Sequence, residues 1–296
     1  MVQSRVLMNS TMWDDYIDKN KGSAGEVSVF QITILFLYAI AGVLLALSRL
    51  SRYEEQRGMF LALALINGLT GLLWHAGTLA LLIIVPEGIA LSIGNTASFI
   101  GLQLAIIGLL GSVEPKLRGL AGGLLVLAAM ASAMTGTSEI PRAAEPINWQ
   151  VELHILASLF AYGLLTVGAI IAVYALVQEK RLRSRRLSSF NQFFAPLETT
   201  EKLMFGVSTT GFLVLIVAVS TGFAFVDNLF AQHLVHKTAL SLLALVLFGV
   251  LLAGRRFAGW RGRRAIYLYL GAFLILCLAY FGSRFVLEEI LGRSWG

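Results

Sequence analysis

Four histidines are the residues best able to carry out chemistry in this apolar chain. His75, His154, His233 and His236 lie within long apolar runs or at their starts. A titratable side chain inside a membrane is costly and is a functional candidate by default. The alternative is that each imidazole only hydrogen-bonds a neighbouring helix or lies at the membrane surface.

Histidines on separate helices are suited to haem iron, which accepts axial imidazoles from its two opposite faces. Zinc would prefer a tight cluster of three or four histidines, cysteines or carboxylates. The acids for such a cluster are missing from the apolar runs, since Glu152 and Asp227 lie at their ends. The i, i+3 pair of His233 and His236 is by itself a weak indication of a metal site.

Haem would also need cations for its propionates and a partner that orients a ligating ring. Lys237 and Arg284 lie at helix ends on the same side as the histidines, although long cations at such ends also reach lipid phosphates. Ser158 follows His154 by one helical turn and is predicted to hydrogen-bond that ring. The chain has no GxSxG, Walker or HExxH motif, so the residues do not predict an enzyme.

The composition places these residues in a membrane protein. Of the 296 residues, 57% are hydrophobic and 14% are charged, and the mean hydropathy is +0.78. Soluble domains carry about 25% charged residues, and a surface this apolar would not stay in water. The net charge of +6 comes from short loops between apolar runs, so nucleic acid is not the expected partner.

The apolar runs predict an all-α membrane bundle of about eight transmembrane helices. Each run is long enough to cross a hydrocarbon core of about 30 Å, and in lipid such runs must be helical because their backbone groups need internal partners. A tight turn at Pro86–Gly88 separates the second run from the third. The predicted spans are 27–48, 58–85, 88–112, 117–135, 149–178, 203–226, 233–253 and 265–288.

Loop charges predict the orientation of the bundle. Most of the 23 lysines and arginines follow spans one, three, five and seven, which makes that face cytoplasmic by the positive-inside rule. Both termini and all four histidines then lie on the outer, periplasmic side. The predicted organisation is a polar outer segment at 1–26, the helical domain at 27–288 and a short outer tail at 289–296.

Three segments resemble the cytochrome c assembly family of integral membrane proteins, which includes CcsA, CcmC and HemX. They are VELHILASLFAYGLL at 151–165, GWRGRR at 259–264 and YFGSRF at 280–285. The fit is best to the YpjD-like and HemX-like branch of the inner membrane. The resemblance implies that His75 and His154 match the branch's membrane histidines and that Lys237 matches its lysine.

The resemblance implies a haem-binding protein of the bacterial inner membrane that takes part in cytochrome c assembly. It implies haem b as cofactor, with His75 and His154 as the iron ligands, and membrane lipid and a cytochrome c maturation component or other membrane protein as partners. Haem-presenting members carry a WGxxWxWD segment between spans six and seven, where this chain reads FVDNLFAQHLVHKTAL. The alternatives are a small-molecule transporter and a haem-free assembly or regulatory subunit.

Overall fold

A computed structural model describes the backbone of residues 10–85, 88–89, 92–136, 148–183, 195–225 and 235–282. The eight predicted spans correspond to eight helices, so the all-α prediction is confirmed. Their bounds are α1 Ser10–Leu47, α2 Arg57–Ile83, α3 Ile93–Ser112, α4 Arg118–Ser132, α5 Trp149–Arg183, α6 Leu197–Phe225, α7 Val235–Phe257 and α8 Arg263–Cys277.

Short elements join or extend these helices. One-turn 3-10 helices occupy Ser51–Tyr53 and Pro115–Leu117, and a π-helical turn, Leu278–Gly282, continues α8. Between α2 and α3, Ile84–Val85 pairs antiparallel with Gly88–Ile89. This pairing confirms the predicted reversal of the chain at that point.

Seven of the helices in the described part of the chain are long and apolar enough to cross a membrane. The helix α8 reaches this length together with its π-helical turn, as Arg263–Gly282. The exception is α4, whose 15 residues extend about 22 Å at 1.5 Å per residue. The outward faces of the long helices carry large apolar side chains such as Leu73 and Leu81, 72% and 84% exposed. Such faces are suited to contact with lipid chains.

Two helices start six or more residues before their predicted spans. The helix α1 starts at Ser10, so much of the polar segment predicted at 1–26 is helical and continuous with the apolar part, Val29–Leu47. The helix α6 starts at Leu197 instead of residue 203. Hydropathy misses both extensions because polar residues form helices outside the hydrocarbon core as readily as apolar ones do inside it.

Close helix contacts assemble α1–α4 into one half of the bundle. Gly42 of α1 and Gly122 of α4 meet backbone to backbone, because a Cβ on either would lie 2.6–2.7 Å from the other's carbonyl oxygen. Asn95, at the start of α3, accepts a hydrogen bond on Oδ1 from the Gly136 N–H at 2.9 Å. Gly136 has a φ of 66°, a conformation that glycine adopts without strain.

The helices α5–α8 form the other half, and α3 joins the two. Tyr269 of α8 donates its hydroxyl to the Leu165 carbonyl of α5 at 2.8 Å. At the junction, Gln103 Nε2 of α3 donates to the Leu159 carbonyl of α5 at 3.1 Å, against the bare backbone of Gly163. The helix α3 therefore faces both halves, which decides what surrounds the histidines.

Candidate functional site

His75 lies two-thirds of the way along α2 and is completely buried. Both of its ring nitrogens have partners from other helices. Its Nδ1 lies 3.3 Å from the hydroxyl of Tyr38 on α1, and its Nε2 lies 2.7 Å from Ser98 Oγ on α3. The ring is thus held between three helices.

The hydroxyls beyond Ser98 determine which nitrogen of His75 carries the proton. Thr135 donates its only hydroxyl proton to the Ser132 carbonyl at 2.6 Å, so it accepts from Ser98 Oγ at 2.6 Å. Ser98 then has no proton left for the ring and must accept from Nε2–H. An uncharged ring carries only that proton, so in the neutral form Nδ1 of His75 accepts from the Tyr38 hydroxyl.

His154 lies in the second turn of α5 and is half-buried. Its Nδ1 donates to the Ala218 carbonyl of α6 at 2.8 Å, because a carbonyl oxygen can only accept. The hydroxyl of Thr221 lies 3.3 Å from the same nitrogen. The ring packs on Gly222, where an added Cβ would lie 2.9 Å from its Cε1 atom.

In the neutral ring, the proton on Nδ1 leaves Nε2 of His154 with a lone pair. Within the described residues, no side chain or backbone group is hydrogen-bonded to this nitrogen. A backbone carbonyl that holds one imidazole nitrogen and so presents the other is the usual arrangement of a metal-ligating histidine. Of the two rings, His154 is therefore the one with a nitrogen available to a ligand.

A cation and a tyrosine extend the site around His154. Lys237, in the first turn of α7, is close enough to act electrostatically on the His154 ring. Its Nζ lies 5.8 Å from the ring centre of Tyr280, in the π-helical turn after α8. Tyr280 is joined to α3 through its hydroxyl, 3.1 Å from Thr96 Oγ1.

The N-terminal half of α3 lies between the two histidine environments. Thr96 points towards Tyr280, whereas Ser98 points towards His75. Residues two positions apart on a helix are rotated by about 200° from each other, so these two side chains leave opposite faces of α3. The structure does not join His75 and His154 directly, since their hydrogen-bond partners come from different helices.

The remaining predicted site residues have different positions. His233 and Arg284 lie outside the described residues. His236, in the first turn of α7, is exposed. Ser158 is half-buried one turn after His154, but the hydrogen bonds of that ring in the described structure go to α6.

The structure adds residues that the sequence analysis did not identify. Tyr38, Ser98 and Thr135 surround His75, and Ala218 and Gly222 position His154. The only available signal was a group of polar residues at the start of span three, Ser92–Ser98. No group of three or more histidines, cysteines or acids that could hold a metal occurs in the part of the chain described.

Comparison with known proteins extends the sequence findings. The family model for "Cytochrome C assembly protein" matches residues 58–291. The chain is 30% identical over 271 residues to "Inner membrane protein YpjD" of Escherichia coli K12, covering 88% of this chain and 99% of that protein. Proteins of the same name from two other E. coli strains match equally.

A second relative comes from a different bacterium. The "Uncharacterized 28.8 kDa protein in nifR3-like 5′ region" of Azospirillum brasilense is 34% identical over 172 residues, which cover 57% of this chain and 63% of that protein. No solved structure matches the chain.

Proposed function

Because the chain belongs to the cytochrome c assembly protein family, we propose that it binds haem b through histidine in the outer leaflet and takes part in cytochrome c assembly. The chain is a multi-pass protein of the bacterial inner membrane, as its relative's name and its seven membrane-length helices indicate. Haem, when bound, supplies an iron that coordinates imidazole nitrogen.

The observation that carries this proposal is the state of the His154 ring. The Ala218 carbonyl holds Nδ1 in its protonated form at 2.8 Å, so the Nε2 lone pair is available for iron. Gly222 lets the ring lie directly against α6, which fixes its position. A rigid, neutral imidazole of this kind coordinates iron without first losing a proton.

His75 is proposed as the second ligand, as the family resemblance implies. Both of its nitrogens are already hydrogen-bonded, to Tyr38 and Ser98. For His75 to coordinate iron through Nδ1, the Tyr38 hydroxyl must move away. If this cost is too large, the second ligand would come from span seven, where His233 and His236 lie on the same side of the membrane.

Lys237 is proposed to pair with a haem propionate. Its ammonium is close enough to the His154 ring to interact with it electrostatically. A haem carboxylate beside that ammonium would gain a charge-assisted hydrogen bond. Arg284 is proposed for the other propionate. The proposal is haem binding and not haem presentation, because the segment between α6 and α7 has no tryptophan.

The decisive test is the visible spectrum of full-length protein, purified in detergent and titrated with haem. We expect a Soret band with saturable binding for the wild type, and loss of that band for His154→Ala. Leu153→Ala is the matched control, since Leu153 is the preceding residue of α5 and is 43% exposed.

Two outcomes would contradict the proposal. A wild type that stays colourless and binds no added haem would favour the transporter or the haem-free assembly subunit. A folded His154→Ala variant with an unchanged spectrum would remove His154 from the site.

The outer-leaflet placement has its own test. In a Cys277→Ser background, a cysteine at Trp149 should react with an impermeant thiol reagent in intact cells, whereas one at Arg183 should not. Both side chains are exposed in the bundle, so accessibility within the protein is not limiting. Labelling at 183 alone would show the opposite orientation, with the histidines at the cytoplasmic side.

A further inference from the structure

A basic cavity lies at the end of the bundle opposite the histidines. Its volume is about 430 Å³. Three cations line it, Arg49, Lys116 and Arg181, and they come from three parts of the chain: the segment after α1, the connection between α3 and α4, and the last turn of α5. Residues far apart in sequence therefore converge on one space.

The charged side chains that line the cavity, as far as the structure describes it, are all basic. Among the described residues, no acidic side chain lines it. Glu179 faces Arg183 at 3.4 Å and Arg263 at 3.3 Å instead, and Glu198 faces Lys202 at 2.8 Å. Glu114, beside the cavity, accepts from the Lys116 backbone N–H at 3.4 Å. An anion inside the cavity would be attracted by all three cations at once.

Hydrogen bonds fix the walls of the cavity in place. Arg49 Nη1 donates to the Pro115 carbonyl at 3.0 Å, which ties the end of α1 to the α3–α4 connection. Gln178 donates through Nε2 to the Ala195 carbonyl, and the Ala195 N–H donates to the Tyr174 hydroxyl at 3.2 Å. The cavity is therefore formed before any ligand arrives.

The rest of the lining is apolar and lies at the edge of the membrane. Leu182, Pro196 and Leu197 complete the wall, and Leu182 is 58% exposed beside the last apolar turns of α5. A free inorganic anion has no apolar part that could contact this wall. An amphiphile that joins a phosphate to an acyl chain matches both parts of the lining.

From these observations we infer that the cavity binds the phosphodiester headgroup of an anionic phospholipid, with Arg49, Lys116 and Arg181 around the phosphate and Leu182 and Leu197 along the glycerol and acyl chain. Arginine presents a planar fork of donors that fits phosphate oxygens. Basic pockets between helices at the cytoplasmic surface are known to hold anionic lipid headgroups. This site is independent of the haem proposal.

The test is native mass spectrometry of the full-length protein after detergent purification, with short-chain phosphatidylglycerol added back. We expect one saturable lipid per chain in the wild type. The triple variant Arg49→Gln, Lys116→Gln, Arg181→Gln should bind about a hundredfold more weakly, since each cation near the surface contributes about fivefold. The control triple is Arg52→Gln, Arg57→Gln, Arg256→Gln, which removes three cations outside the cavity and should bind like the wild type.

Two further measurements decide the outcome even if the triple variant fails to insert. In the wild type, further phosphatidylglycerol should displace the bound phosphatidylglycerol, whereas phosphatidylethanolamine and inorganic phosphate should not displace it. The exposed Lys116→Gln single variant should weaken binding by about fivefold. Equal competition by inorganic phosphate would assign the cavity to a soluble anion, and equal binding by the cavity and control triples would show that no such site exists.

Discussion

The environments of His75 and His154 differ in ways that a sequence of apolar runs does not reveal. His75 is fully buried, and its two nitrogens are used by Tyr38 and Ser98. His154 is half-buried, and only its Nδ1 is used, by a backbone carbonyl of α6. The protons consequently lie on different atoms, Nε2 in His75 and Nδ1 in His154.

This difference separates two roles that one residue type can fill inside a membrane. A histidine whose nitrogens are both satisfied stabilises the helices that it joins, because removal of the ring leaves buried polar partners behind. A histidine with one nitrogen fixed and the other available is prepared to bind a ligand. Substitutions that affect stability and haem binding separately will measure how far each histidine fills each role.

The largest expected effect is on stability, at His75. His75→Ala should lower the free energy of unfolding by about 3–5 kcal/mol, because it opens a cavity and leaves the Tyr38 and Ser98 hydroxyls without their partner. His154→Ala should cost about 1 kcal/mol. Unfolding in detergent, followed by circular dichroism against denaturant, measures both.

The control for this stability prediction is Leu73→Ala on the same helix, because Leu73 is 72% exposed and its loss should have little effect. If His75→Ala and His154→Ala were equally stable, the proposed difference between the two environments would be wrong.

The next effect is on haem affinity and comes from a glycine. Gly222→Ala places a methyl group 2.9 Å from His154 Cε1 and 3.3 Å from Nδ1, so the ring must shift and weaken its bond to Ala218. We expect haem to bind about tenfold more weakly, in line with the 1–3 kcal/mol typical of overpacking.

Gly206→Ala is a matched control for Gly222→Ala. It makes the same change on the same helix, where an added Cβ meets nothing within 4 Å. Equal haem affinity of the two variants would show that iron does not depend on the position of the His154 ring.

A smaller effect is expected at the cation. Lys237→Gln should weaken haem binding by about fivefold, as expected for one partly solvated ion pair of about 1 kcal/mol, and Lys237→Arg should restore most of the affinity. The difference should disappear when haem dimethyl ester replaces haem, since the ester has no propionate charge. A loss that persists with the ester would mean that Lys237 acts through Tyr280 and not on a propionate.

Much of the fold follows from hydropathy, because length and apolarity decide which segments cross lipid. The predicted span 149–178 begins where α5 begins, at Trp149, and the predicted span 88–112 ends where α3 ends, at Ser112. Helix contacts, in contrast, do not follow from hydropathy. The sequence contains a GxxxG at Gly119 and Gly123 that favours close packing, yet Gly123 faces open space and Gly122 makes the contact with α1.

The two asparagines within the spans also show that the sequence does not predict which helix faces are in contact. Both are typical of side chains that hydrogen-bond between helices, and Asn95 does so with Gly136. Asn67 is half-buried and donates to the Leu63 carbonyl of its own helix at 2.8 Å. Which face of a helix meets a partner depends on the rotation of the helix, and a single sequence carries little information about it.

The candidate site was predictable in its residue types but not in its hydrogen bonds. Histidines within apolar runs identify His75 and His154 as exceptional. The backbone carbonyl of Ala218 leaves no trace in the sequence, because any residue at position 218 supplies one. Its role depends on the depth at which α5 and α6 cross, and that depth is a property of the whole bundle.

The smallest expected effect concerns Ser158, the residue whose side chain the sequence predicts as the partner of His154. In the structure a backbone carbonyl occupies Nδ1 of that ring at 2.8 Å. Ser158→Ala should therefore change haem affinity by less than about twofold, whereas Gly222→Ala, which disturbs the carbonyl contact without touching Ser158, should have the larger effect. The measurement is haem titration of both variants, together with the ferric spectrum, which reports a change of axial ligand. If Ser158→Ala weakens binding as much as Gly222→Ala, the serine orients the ring in the haem-bound protein, and Nε2 of His154 is not the nitrogen presented to iron.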